Sequence, residues 1–324
     1  LAVTASLSRD PAALFVQALS GHRAALARLI SMIETGGDDA QAVAARSYRT
    51  APPYSVGLTG APGAGKSTLT DRLIAVSKQG WTGVEPEPIA QLGVLAVDPS
   101  SPFTGGAILG DRIRMQGHAT DPQVFIRSMA TRGRLGGLSL AVPDAIRLLG
   151  AAGFPLVLIE TVGVGQMEVD VASATDTTVV VVNPGWGDSM QANKAGLLEV
   201  ADVFVINKAD RPGAREARRD LVQMLDLSQL GSWRPPIVET SASEGIGIDE
   251  LWETIGAHRA HLVAHGELGP RREERLAAEL RRVLSARLAE RVEQLTEGDT
   301  FCDQLAALVA ATTDPYTAAS VLLS

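Results

Sequence analysis

Residues Gly60-Ala61-Pro62-Gly63-Ala64-Gly65-Lys66-Ser67, followed by Thr68, form a complete G-x-x-x-x-G-K-S sequence. Glycines at those spacings let a backbone curl until successive N–H groups converge on phosphate oxygens, and the start of a helix adds its positive dipole end. Lys66 would add a positive charge on β and γ phosphates, and Ser67 a hydroxyl for Mg²⁺. The apolar run Tyr54 to Thr59 ahead of the loop, and an amphipathic stretch starting near Ser67, predict the strand and helix such a loop needs. Without that context, the competing reading is a glycine turn that precedes a lysine.

Asn207-Lys208-Ala209-Asp210 directly follows the buried-type run Val203-Phe204-Val205-Ile206. An N-K-x-D after a strand reads guanine. The Asp210 carboxylate can accept from both the N1–H and the 2-amino group of that base, whereas adenine has an acceptor at N1 and no 2-amino group. Adenine would leave a desolvated carboxylate facing a lone pair, at a cost on the order of several kcal/mol. Thr240-Ser241-Ala242-Ser243, after Pro236-Ile237-Val238-Glu239, fits a loop whose backbone amide meets guanine O6. Alone the four-residue signal is weak; its place after the phosphate loop gives it weight. GTP and GDP are the predicted ligands.

Two further apolar runs end in acids: Leu92 to Val97 runs into Asp98, and Leu156 to Ile159 into Glu160. Both acids fall at the carboxyl ends of predicted parallel strands, where open α/β sheets bind ligands. They could hold Mg²⁺ directly or through its waters, since that ion recruits few protein carboxylates. An ordinary helix cap is the competing reading for Asp98. Gly163, in Glu160-Thr161-Val162-Gly163-Val164, could give its N–H to a γ phosphate and sense its loss. Where Ras-like GTPases carry a water-positioning glutamine this chain has Val164, with Gln166 two residues on, so unaided hydrolysis should be slow.

These elements must be positioned by a chain of 324 residues, 45% hydrophobic and 20% charged, which suits a globular α/β domain with helical additions. The fold class expected is α/β: a mostly parallel P-loop GTPase sheet with helices on both faces, plus N- and C-terminal helical extensions. Residues 1–50 read as an N-terminal helical extension, 51–257 as the GTPase domain, and 258–324 as a C-terminal helical, dimerising region. In the last of these, Leu276, Leu280, Leu284, Leu288 and Val292 repeat every four residues through a charged helix from Arg271 to Gln294. Such a helix would be about 36 Å long and calls for a partner helix, most simply from a second copy, with folding back on its own domain as the competing reading. A net charge of −8 argues against a nucleic-acid groove. No stretch has the apolar length of a membrane span. With Cys302 the single cysteine, a cytoplasmic protein without internal disulfides is expected, and Leu1 to Ser6 shows no secretory h-region.

Longer motifs suggest a family. Val97-Asp98-Pro99-Ser100-Ser101-Pro102-Phe103-Thr104-Gly105-Gly106, continuing to Asp111-Arg112-Ile113-Arg114-Met115, then Ser128-Met129-Ala130-Thr131-Arg132-Gly133, Glu160 to Gln166 and Asn183-Pro184-Gly185-Trp186-Gly187-Asp188 resemble the MeaB/ArgK family. That family includes the methylmalonic aciduria type A protein. The resemblance covers nearly the full chain. It implies a homodimeric, metallochaperone-related P-loop GTPase that gates adenosylcobalamin delivery to methylmalonyl-CoA mutase, or a related acyl-CoA mutase, and protects it. By position, the resemblance makes Lys66 and Ser67 ligands of phosphate and Mg²⁺, and Asp98, Asp111 and Glu160 the metal-site and switch acids, with Arg114 in the same switch. Asp188, Gln191 and Lys194 resemble a third switch whose lysine reaches the nucleotide only when the mutase docks, which would complete catalysis beside Lys66 and Glu160. A solvated helix charge is the competing reading for Lys194.

None of the five histidines stands in an Asp-x-His-x-x-Gly cobalamin motif, so the cobalamin is expected on the partner. His258, His261 and His265 share one helical face; a packed or exposed helix face competes there with a weak metal site. Two rival functions stay open: a kinase of the ArgK transport-associated type, and a binding module that GTP clips together with negligible turnover.

Overall fold

A computed structural model describes residues 8–81, 88–98, 116–118, 120–130, 137–161, 174–185, 200–228 and 231–324. Its centre is a sheet of β1 (Tyr54–Gly60), β2 (Leu92–Asp98), β3 (Val124–Ala130), β4 (Leu156–Thr161), β5 (Thr177–Val182), β6 (Val203–Asn207) and β7 (Ile237–Thr240). The seven strands run in the order β3-β2-β4-β1-β5-β6-β7, and each pairing is parallel. β1, β4, β5 and β6 are buried at every position, which is why β4, β5 and β6 read as near-continuous apolar runs, while β1 sets small residues, Ser55, Gly57 and Thr59, between its apolar ones.

Helices cover both faces. On one, α4 (Lys66–Ser77) and α7 (Ile248–Ala264) bring Leu69, Leu73, Ile74, Trp252 and Ile255 onto Val56, Leu58, Leu158 and Val181. On the other, α5 (Gly137–Ala151) packs beside three N-terminal helices, α1 (Pro11–Leu19), α2 (Arg23–Thr35) and α3 (Gly37–Ser47). Leu14, Leu29 and Ile30 share one core there with Leu95, Val157 and Ile159, so the three N-terminal helices help to cover that face of the sheet. The helix α1 starts where it does because Asp10 accepts from the N–H groups of Ala12 (3.1 Å) and Ala13 (3.2 Å), ahead of Pro11. α6 (Ala214–Leu227) covers β5 and β6 with Leu221 and Leu225.

At the amino edge of the sheet, opposite the phosphate loop, the first turns of α8 (Leu268–Thr296) are pinned by buried acids. Asp176, 1% exposed, pairs with Arg272 (2.7 Å) and Arg275, and accepts from the Ser55 N–H at 3.0 Å. Burial works to raise its carboxyl, but the two guanidinium groups hold it below the usual carboxylate range. Asp202 takes both Nη atoms of Arg271 (2.9 and 2.7 Å) and the N–H of Thr178 (2.7 Å).

The chain divides into two compact units, Leu1–Arg275 and Leu276–Ser324. The boundary expected at 257/258 falls inside α7, where Ile255, Gly256 and His258 are buried and the helix runs on to Ala264. The second unit holds the rest of α8, then α9 (Asp299–Val309) and α10 (Pro315–Leu323), whose start is capped by Asp314. Its Leu276, Leu280, Leu284, Leu288 and Val292 are all exposed. Among the described residues, no helix is long and apolar enough to cross a membrane.

Candidate functional site

The loop between β1 and α4 takes a shape that glycine alone permits. Gly60, Gly63 and Gly65 have φ of 135°, 74° and 95°, and Gly65 is the N-cap of α4. A Cβ at Gly60 would lie 2.0 Å from the Val181 carbonyl oxygen of the adjacent strand. The loop therefore delivers Lys66, Ser67 and Thr68 as the first turn of a helix, whose N–H groups have no partner within the helix and favour an anion. The Lys66 ammonium, 6% exposed, donates to the carbonyls of Gly60 and Ala61 (3.0 Å to the latter) and lies over its own loop.

The second loop is built into the first. Asn207, 2% exposed at the end of β6, donates from Nδ2 to the Ala64 carbonyl (2.8 Å). Its Oδ1 accepts from Thr240 Oγ1 and from the Ala242 N–H, both at 3.1 Å. A Cβ at Gly65 would stand 2.3 Å from Asn207 Nδ2, so the closeness of the two loops itself demands glycine there. Lys208, held at φ 59°, extends back to the Gly63 carbonyl at 2.7 Å. Asp210 is exposed, and one of its oxygens accepts from Ser241 Oγ at 2.9 Å, which fixes the carboxylate beside Ala242 and Ser243. One asparagine thus joins the loop after β1 to the loop after β7, with Ala64 143 residues away along the chain.

Beside the cradle, Glu160 pairs with Leu58 of β1 on one side and Ala96 of β2 on the other. Its Oε1 accepts from Ser67 Oγ, with Glu160 1% and Ser67 7% exposed. Asp98 ends β2 at the same carboxyl edge.

A sequence model described as "Methylmalonyl Co-A mutase-associated GTPase MeaB" matches residues 26–297. The chain belongs to this family. A putative GTPase of Pyrococcus abyssi is 48% identical over 309 residues, covering 94% of this chain and 93% of that one. GTPase ArgK of Escherichia coli K12 is 36% identical over 274 residues, 81% of this chain and 80% of its own length. The mouse protein named methylmalonic aciduria type A homolog, mitochondrial, is 36% identical over 281 residues, 80% of this chain and 66% of that one. A crystal structure described as LAO/AO transport system kinase superposes with a TM-score of 0.69 at 28% identity, covering 98% of both chains. A MeaB-family chain is a P-loop GTPase and, as such, a guanine-nucleotide protein.

In this MeaB-family structure, Gly60 to Thr68, Asn207, Lys208, Asp210 and Ser241 to Ser243 gather at one carboxyl edge of the sheet with Ser67 and Glu160. Asp111, Gly163 and Lys194, together with Arg114, Val164, Gln166, Asp188 and Gln191, lie outside the described residues. Two of the three histidines are committed to packing, while His265, just past α7, is exposed. His258 shares a hydrogen bond with Thr177 Oγ1 (2.9 Å), His261 one with Ser232 Oγ (3.0 Å), and Trp233 stands 5.0 and 5.1 Å from the two rings. One contact at the site escaped the sequence reading: Arg72, on α4, reaches the carbonyls of Ala242 and Ser243. No local pattern marks it, because the partners are 170 and 171 residues away.

Proposed function

We propose that this MeaB-family GTPase binds GTP and GDP at the joined loops, and that its GTP cycle gates adenosylcobalamin delivery to methylmalonyl-CoA mutase or a related acyl-CoA mutase and protects that enzyme. The observation that carries the nucleotide assignment is Asn207, which ties the phosphate loop to the loop beside Asp210. In this reading Gly60 to Gly65 and the amides of Lys66, Ser67 and Thr68 enclose the phosphates. Lys66 exchanges the carbonyls of Gly60 and Ala61 for phosphate oxygens, which are stronger acceptors. Asp210 accepts from the guanine N1–H and 2-amino group, with Asn207 and Lys208 behind it and Ser241, Ala242 and Ser243 at the O6 side.

The oxygen-only pair of Ser67 and Glu160, joined by a buried hydrogen bond, fits Mg²⁺, with Asp98 and Asp111 as further candidates by position. That ion, when bound, neutralises charge between the β and γ phosphates. Gly163 then senses the γ phosphate. Because Val164 replaces the water-positioning glutamine, turnover is slow alone, and Lys194 completes the site once the mutase docks. The protein is proposed to be a cytoplasmic homodimer joined through the exposed stripe Leu276 to Val292, with no nucleic-acid or membrane role.

The partner assignment leans on the family's mutase-associated description and on the mouse relative's name. GTP hydrolysis measured with and without the mutase tests it. The expected outcome is a low basal rate that rises on adding mutase in the wild type but not in Lys194→Ala, whose basal rate stays near wild type. Equal loss in both assays would make Lys194 an ordinary phosphate ligand, and no acceleration in the wild type would favour the GTP-clipped module. The kinase reading is supported by the superposed transport-kinase structure. It requires ATP preference, against which the position of Asp210 argues.

A further inference from the structure

Arg72 lies on α4, the same helix whose first turn forms the phosphate cradle. It donates from Nε to the Ala242 carbonyl and from Nη2 to the Ser243 carbonyl, each at 3.0 Å. We propose that Arg72 is a positioning residue for guanine recognition, setting the loop Ser241–Ser243 at the distance from the phosphate cradle that a guanine nucleotide spans. This rests on the guanine reading given above.

The other ties on that loop come from the β6 and β7 side. Ser241 pairs with Ile246 across a small bridge, its hydroxyl reaches Asp210, and the Ala242 N–H goes to Asn207. Among the described hydrogen bonds, those of Arg72 are the ones that bind the loop to α4. A planar guanidinium is suited to this task, because its donors have a fixed spacing and grip two carbonyls without freedom to slide. There is also an electronic effect. A cation on the Ala242 and Ser243 carbonyl oxygens polarises the peptide units that carry the Ser243 and Glu244 N–H groups, making each a better donor. The Glu244 N–H is spent on the Ser241 carbonyl at 3.0 Å, which tightens the turn. The polarised Ser243 N–H belongs to the edge that faces O6 in the guanine reading. Adenine presents an amino group where guanine has O6, so a loop held rigidly with its donor there rejects adenine, and a loosened loop rejects it less.

The test is titration calorimetry on the full chain, wild type against Arg72→Met and Arg72→Lys, with GDP, IDP, ADP and inorganic tripolyphosphate. Arg72→Met is expected to weaken GDP about tenfold, the effect of losing two partly exposed charge-assisted bonds. IDP, which keeps O6 but lacks the 2-amino group, should weaken by the same factor. Tripolyphosphate and ADP should stay within about twofold, so that the GDP-to-ADP preference drops about tenfold. Arg72→Lys should fall between, since an ammonium holds one carbonyl at a time, and it supplies the reading if the methionine variant does not fold. Equal weakening of all four ligands would reduce Arg72 to a support of α4 and overturn the proposal. So would an unchanged preference in a wild-type background that favours GDP. A wild type without preference for GDP over ADP would instead sink the guanine reading, and the role of Arg72 with it.

Discussion

Replacing Asn207 by alanine removes a single side chain and three hydrogen bonds at once. Lost are Nδ2 to the Ala64 carbonyl (2.8 Å), and Oδ1 from Thr240 Oγ1 and from the Ala242 N–H (both 3.1 Å). The partners are buried: Ala64 and Thr240 are 0% and Ala242 2% exposed, so water cannot easily replace what is lost. At about 1 kcal/mol per bond, with part of the orphaning cost relieved by loop movement, the expected loss of folding stability is about 3 kcal/mol. Binding should suffer as well, because the phosphate cradle and the base loop lose their shared register. GDP affinity is expected to fall at least about tenfold beyond what a comparable stability loss elsewhere produces. Urea unfolding without nucleotide measures the first quantity, and calorimetry at low temperature, where the variant is folded, measures the second. A stability change below about half a kcal/mol would contradict the buried network. Full stability loss with unaltered GDP affinity would mean that Asn207 supports the fold and not the joined site.

Two other outcomes follow from the geometry. Leu280→Glu with Leu284→Glu, both on the exposed stripe of α8, should convert a dimer to a monomer by light scattering with little change in unfolding, whereas a surviving dimer would move the interface elsewhere. His258, 1% exposed, has its pKa pushed down from 6.5 to about 4, chiefly by burial and then by Arg271 and His261, against the opposing pull of Asp202 and Asp176. The unfolded chain then binds the proton more readily than the folded one, so stability should fall as pH drops from about 6.5 to about 4, by about 3 kcal/mol in total. His258→Gln should flatten that part of the curve. The further loss below pH 3.8, where Asp176 with its lowered pKa gives up its arginine partners, should remain.

What could be read in the sequence was what local spacing encodes. Gly60 to Ser67 and Asn207 to Asp210 are contiguous, and Val203 to Ile206, ahead of the second, is an unbroken apolar run because both faces of a parallel sheet are covered. The stripe from Leu276 to Val292 was legible because its four-residue spacing is local too. Contacts between distant residues were not. The pairing of Arg272 with Asp176 spans 96 residues, the Arg72 tie to Ala242 spans 170, and no periodicity points from one partner to the other. His258 and His261 of α7 and His265 just after it do stand ring to ring in series with Trp233, as their spacing implies, yet only the neighbouring strand and Trp233 reveal that His258 is committed to Thr177 and the core. Arg271, Arg272 and Arg275, which open a charged helix in the sequence, reach back to buried acids over similar distances along the chain.

The central claim is that one carboxylate, Asp210, reads the base while the loop beginning at Gly60 holds the phosphates. Titrating wild type and Asp210→Asn with GDP and XDP tests it most directly. A wild type that prefers GDP and a variant that gives up this preference in favour of XDP is the expected result, since an amide can donate to the xanthine 2-oxo group where a carboxylate could only accept. An unchanged preference in the variant, or no binding of either nucleotide to a folded wild type, would contradict the account.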